Sequence, residues 1–241
     1  MRLNIFILLV LTSFSVNAGW SDLLDIFSSE EIKTPSVSNL SQQEIIAGLK
    51  QALNKGSDIA VKTLGKENGF LNSDQFRIPM PAQLEKAESV LRKLKQDELA
   101  DEFVLSMNRA AEQALPVAGD ILGNIVRDMS IEDAYGILNG PDNAATSYLQ
   151  DKGGQELNRQ FLPIVKQTTD KTGVTRHYKT LQDKMGMMSS LVDMDNVDLD
   201  QYVTDQAVGA LFQLVAEQEK LIRKDPVSRT TDLLKKVFSQ Q

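Results

Sequence analysis

Residues 193–200 read Asp-Met-Asp-Asn-Val-Asp-Leu-Asp, four aspartates and one asparagine within eight residues. Calcium takes six to eight oxygen ligands, and aspartates in a loop supply them. Asp193, Asp195 and Asp198 are the candidate ligands for Ca2+ or Mg2+ here. The helix–loop–helix calcium pattern also needs glycine at its sixth position and glutamate at its twelfth. Counting from Asp193, those positions hold Asp198 and Thr204. A local assignment competes with the metal. Asp198 caps a helix that starts at Leu199, and Asp200 sits in its first turn, where negative charge meets the positive end of the helix dipole. The spacing serves the cap without further assumptions. It leaves Asp193, Asp195 and Asn196 as too few oxygens to close a calcium site unaided.

Other chemistry is sparse. His177 is the single histidine, so two-histidine zinc motifs are impossible and a catalytic triad would have to use this one ring. It reads as a surface or half-buried helix residue. Asp97 and Asp101, and likewise Glu98 and Glu102, lie four apart on one helix, so each pair shares a face. Asp97, Asp101 and Glu102 could perform acid–base hydrolysis of the glycosidase kind; a solvated acidic face, with Asp101 and Glu102 paired to Arg109 or Lys95, is the simpler assignment. Arg77, in "RIPMP", stands beside an apolar loop and has the fork geometry to clamp a carboxylate. Phe76 flanks it and Arg229 is a second such cation. An Arg that ties down a loop by bonding backbone carbonyls is the plainer role. No phosphate-cradling glycine loop, G-x-S-x-G elbow or S-x-x-K motif occurs.

The elements that would carry these residues are helical. Ser41-Gln-Gln-Glu44 is a capping box. Apolar residues from Ile45 to Leu64 follow at helical spacing. Residues 65–81 break the pattern with two glycines and two prolines, an unusually long connection of the kind that often has a function. Phe70, Leu71, Phe76, Ile78 and Met80 are expected to pin it to the core. Helical stripes resume after Pro81 and again near Asp97. Pro116 should kink or restart the second of these. Ser130 opens another helix, Gly140-Pro141 turns the chain, and a new helix starts near Asp142. Asp151-Lys-Gly-Gly154 should break that helix, Pro163 should interrupt the next stripe, and Gly173 should end it. The stretch from Leu199 to Asp225 is the most regular helix. Nothing alternates cleanly enough to be a strand. The expected class is all-α, an irregular bundle of roughly eight to ten helices.

The chain has 241 residues, 41% of them hydrophobic, enough for one substantial core. Its start is read separately. Met1-Arg2 is followed by an uncharged apolar run from Ile5 to Val16 and by small residues at Val16 and Ala18, the pattern of a secretory signal peptide cleaved after Ala18. The expected organisation is signal peptide 1–18, flexible leader 19–40 and a single helical domain 41–241. No later run is long enough to span a bilayer. With no cysteine there is no disulfide, thiolate site or lipoprotein anchor. The formal charge of −7, or −8 once Arg2 is removed, argues against nucleic-acid binding and against simple adhesion to anionic membranes.

"EIIAGLKQAL", "GFLNSDQFRIPMP", "ADEFVLSMNRAAEQA", "GILNGPDNAATSYL", "FLPIVK" and "RTTDLLKKVF" together resemble an exported bacterial family, domain of unknown function 4197, over residues 40–238. The resemblance implies a Gram-negative, exported, mainly helical protein and supplies no catalytic residues. Some relatives resemble lipoproteins at their leaders; this chain, without Cys, departs from that. The reading that follows is a periplasmic, non-enzymatic binding or interaction module of the cell envelope, whose partner is an envelope protein or a small apolar ligand. A divalent-metal protein using 193–200 and an acid–base hydrolase using helix-borne carboxylates are the alternatives.

Overall fold

The computed structural model describes residues 41–185 and 197–225, together with Ser228, Thr231, Lys235 and Val237. All of these lie in the unit Leu40–Gln241. The described residues form helices and no strand. The chain enters α1 (Gln42–Leu64) through the capping box: Ser41 Oγ accepts from the Glu44 N–H at 3.3 Å, and Glu44 accepts from the Ser41 N–H at 2.9 Å. After the 65–81 connection, Pro81 caps a 3-10 turn (Ala82–Leu84) that leads into α2 (Glu85–Lys93). α3 (Asp97–Ala114) and α4 (Pro116–Asp128) meet at Leu115, whose backbone is helical. Pro116 restarts the chain there, because the first position of a helix needs no N–H. Ser130 and Asp133 form a second reciprocal box at the start of α5 (Ile131–Leu138).

α6 (Ala144–Thr172) overturns two expectations. It runs unbroken through Gly153-Gly154 and through Pro163. Its buried residues Leu149, Gly153, Leu157, Phe161 and Val165 follow one another every fourth position, a continuous core-facing stripe. Gly153 belongs to that stripe: a Cβ there would meet Ile125 Cδ1 of α4 at 2.4 Å. The missing side chain admits Ile125, and the packing so gained outweighs glycine's poor helix propensity. Pro163 falls on the exposed side, as does Arg159, whose carbonyl loses its usual donor there and can turn to water.

Gly173 ends α6 in the left-handed conformation, φ 86°, as the sequence predicts. α7 (Val174–Met185) and α8 (Leu199–Lys224) follow. α6 packs against α8, α3 and α4, while α1 packs against α8 and α4. Phe70, Phe103 and Phe161 are the largest wholly buried side chains. Burying each such ring is worth about 1.5–3 kcal/mol. No helix among the described residues is long and apolar enough to cross a membrane.

Two charged side chains of α8, Glu219 and Arg223, are buried in this core. Glu219 of α8 accepts from the backbone N–H groups of Ala145 and Thr146, at 3.0 and 2.9 Å, and from the Thr146 hydroxyl at 2.8 Å. It thereby caps α6 from another helix, satisfying donors that a helix start leaves open. Arg223, one turn on, donates to Glu219 at 2.9 Å and to the Ile137 carbonyl at the end of α5, also at 2.9 Å.

Candidate functional site

The 65–81 connection is folded back on the bundle by side chains of α3 and α8. Asn68 turns the chain with φ 64°, a conformation that asparagine tolerates better than most residues. Phe70, Ile78 and Met80 are buried, while Leu71 and Phe76 are half-buried. The backbone that carries them is tied by α3. Asn108, fully buried, accepts from the Ile78 N–H at 2.9 Å and donates to the Ile78 carbonyl at 2.8 Å. Glu112, also buried, accepts from the N–H groups of Phe70 and Leu71 at 3.1 and 3.3 Å. Its charge is met by Arg109, which also donates to Asn68 and Glu67. From α8, Tyr202 donates its hydroxyl to the Pro79 carbonyl at 3.1 Å. Burial pushes the Tyr202 phenol up, and the charge of Glu85 adds to this, so the hydroxyl stays a donor.

The clamped connection faces α8 across an open cleft of about 260 Å³. Phe76 and Arg77 stand on one side. Asp205, Gln206, Gly209 and Gln213 stand on the other, at a spacing that places them along one face of the helix. A Cβ at Gly209 would meet nothing within 4 Å, so the cleft floor there is bare backbone. Arg77 is exposed, and no carboxylate among the described residues is paired with it. The plainer role expected of it, tying the connection through backbone carbonyls, falls instead to Asn108 and Tyr202. Asp205 is exposed and accepts from Gln201 at 2.7 Å through one of its oxygens. The cleft therefore offers a guanidinium fork, a carboxylate and the amides of Gln206 and Gln213, each both donor and acceptor, while the third lining amide, Gln75, donates to Glu217.

The other sequence candidates lie elsewhere. Asp198 is the N-cap of α8 and accepts from the Gln201 N–H at 2.9 Å. Asp200 accepts from the Thr169 hydroxyl at 2.6 Å, which ties the start of α8 to α6. Asp193, Asp195 and Arg229 lie outside the described residues, as do residues 1–40, where the signal peptide and leader are expected. Among the described residues no group of three or more His, Asp or Glu side chains is gathered as a metal ligand set. Asp97 and Asp101 are more than half exposed and both reach Arg92, at 3.4 and 2.9 Å. Glu102 lies 3.6 Å from His177 Nδ1. Arg109 and Lys95, the expected partners of Asp101 and Glu102, play no part in this: Arg109 serves Glu112 instead. These carboxylates line neither the Arg77 cleft nor the interior cavity. That cavity, bounded by Leu49, Leu53, Ala145, Val215, Ile222 and Glu219, is only about 20 Å³. It has room for about one water molecule.

Asn108, Glu112, Glu219 and Arg223 were not legible as functional or structural anchors. Their signal is faint but present. Each pair is four apart, and each interrupts an apolar helical stripe with a polar residue on the buried face.

A family model described as protein of unknown function (DUF4197) matches residues 39–239. No curated protein and no solved structure matches the chain.

Proposed function

This chain belongs to the family of proteins of unknown function DUF4197, and we propose that it is a non-enzymatic binding module of the bacterial cell envelope that holds the carboxylate end of a short peptide against Arg77. The observation that carries this reading is the cleft between the clamped 65–81 connection and α8. Arg77 has the planar fork that matches a carboxylate in two parallel hydrogen bonds. Gln206 and Gln213 each present amide donors and an amide acceptor, which match the N–H and C=O of a peptide group. Asp205 balances an ammonium. The four anchors from Asn108, Glu112, Arg109 and Tyr202 support a preorganised site, since ordering the connection on binding would otherwise cost affinity. The polar lining favours such a ligand over an apolar one. The envelope location rests on the Met1–Ala18 pattern.

Titration calorimetry of the chain lacking residues 1–18 with trialanine, and with trialanine amide, tests this. The free acid binds, the amide binds at least tenfold more weakly, and Arg77→Gln abolishes the difference without lowering the melting midpoint. Equal affinity for acid and amide, no binding of either, or unchanged binding by Arg77→Gln would overturn the reading.

A further inference from the structure

Among the described residues, the lining of the Arg77 cleft carries one cation, Arg77, and one anion, Asp205, on facing walls. Both are exposed, and neither has an ion-pair partner among those residues, in the other or elsewhere. We propose that the cleft takes a free di- or tripeptide as a zwitterion, with its carboxylate on Arg77 and its ammonium on Asp205, and not the C-terminal tail of a longer chain. This rests on the reading of Arg77 as a carboxylate clamp and narrows the class of ligand. A ligand with one charge of each sign answers both side chains at once and leaves the cleft neutral.

Two independent observations favour a free peptide over a tail. The first is the state of the backbone. A longer tail gains affinity by adding as a strand to an open edge. Here the Arg77 N–H is bonded to the Ser73 carbonyl at 3.1 Å and the Phe76 N–H to the Ser73 hydroxyl at 3.0 Å. The opposite wall is α8, a helix that spends its backbone groups on itself. Affinity must therefore come from the ends of the ligand and from side chains, and a free peptide brings two charged ends. The second observation is length. Along α8 the cleft runs from Asp205 to Gln213, about 12 Å of helix axis. An extended tripeptide reaches about 10–11 Å and a hexapeptide about 20 Å. Beyond both ends of this span the walls are joined. Tyr202, before Asp205, donates to the Pro79 carbonyl at 3.1 Å, and Glu217, after Gln213, accepts from Gln75. The volume of about 260 Å³ agrees, lying below the roughly 300–1,000 Å³ of sites for drug-sized ligands.

The test is calorimetry of the same chain with trialanine, with N-acetyl-trialanine, and with a hexapeptide of three serines followed by three alanines. Trialanine is expected to bind at least tenfold more tightly than either of the others. These comparisons use the parent protein and need no variant. Asp205→Asn, which keeps an acceptor for Gln201, is expected to hold its melting midpoint and to remove the difference between trialanine and its acetyl form. Acetyl-trialanine or the hexapeptide binding as tightly as trialanine, or a preference for the free amine that survives Asp205→Asn, overturns this proposal while the discrimination of acid from amide still stands. Loss of that discrimination overturns the carboxylate clamp, and this proposal with it, so the two failures are distinct.

Discussion

Glu219 and Arg223, one turn apart on α8, form a buried ion pair that closes the start of α6 and the end of α5 at once. Each partner satisfies the charge of the other and the open backbone groups of a neighbouring helix, so both desolvation costs are met by specific hydrogen bonds. Removing one partner leaves the other charge stranded, which costs about 3–5 kcal/mol. Glu219→Ala and Arg223→Ala should each lose that much in urea unfolding. Glu219→Gln should lose less, because its amide oxygen still accepts from Ala145 or Thr146. Because the two residues act as one unit, the double alanine variant should lose far less than the two single losses added.

Asn108 and Glu112 make a different demand, since they hold the connection rather than the bundle. Asn108→Ala strands the Ile78 N–H and carbonyl, at about 1–3 kcal/mol for such buried groups. Hydrogen exchange at Ile78, Phe70 and Leu71 should accelerate in Asn108→Ala and Glu112→Ala, while the amides of α6 keep their protection. Uniform acceleration throughout would show that these residues support the whole core instead.

Two glycines should gain unequally from alanine. Gly153→Ala places a Cβ 2.4 Å from the terminal methyl of Ile125, which must turn aside and offsets part of the helix-propensity gain. Gly119→Ala enters open space and should stabilise by up to about 1 kcal/mol through helix propensity. Chemical unfolding of both variants beside the parent should show the larger gain at Gly119.

Asp198 accepts the Gln201 N–H as the cap of α8. Asp198→Ala should cost about 1 kcal/mol and Asp198→Asn or Asp198→Ser much less, because either side chain restores the acceptor. The cap also predicts that millimolar calcium leaves the melting midpoint in place. An ion bound to the native state through residues 193–200 would raise it.

Glu156 is held at about 2 by its hydrogen bonds to Arg159 and Gln160, below the ordinary 4.5. A carboxylate depressed on folding contributes its stabilisation fully above 4.5 and loses it as the pH falls towards 2. Arg159→Ala should move the Glu156 titration, followed by carbon NMR of its carboxyl, up towards 4.5. The stability difference between the two proteins should shrink across that same interval. Asp133, lowered chiefly by the Ser130 hydroxyl, should rise likewise in Ser130→Ala.

The features the sequence determined by itself are those written within four residues. Ser41 with Glu44, Ser130 with Asp133, Asp198 with Gln201, and Gly173 each mark a helix end through hydrogen bonds or backbone conformations that close locally. The all-α class follows from apolar spacing on the same scale, and Phe76 and Arg77 stood out because their connection is long. Features that depend on a distant partner were hidden. Gly153-Gly154 and Pro163 look like helix breaks until Ile125 needs the space at Gly153 and solvent takes the face that carries Pro163. Asn108, Glu112, Glu219 and Arg223 look like solvent-facing helix residues until the connection and the ends of α5 and α6 arrive to receive their hydrogen bonds. The cleft beside Arg77 belongs to this second kind. Local propensity amounts to tenths of a kcal/mol per residue, whereas burying a stripe or stranding a charge amounts to several. Where the two conflict, tertiary packing decides.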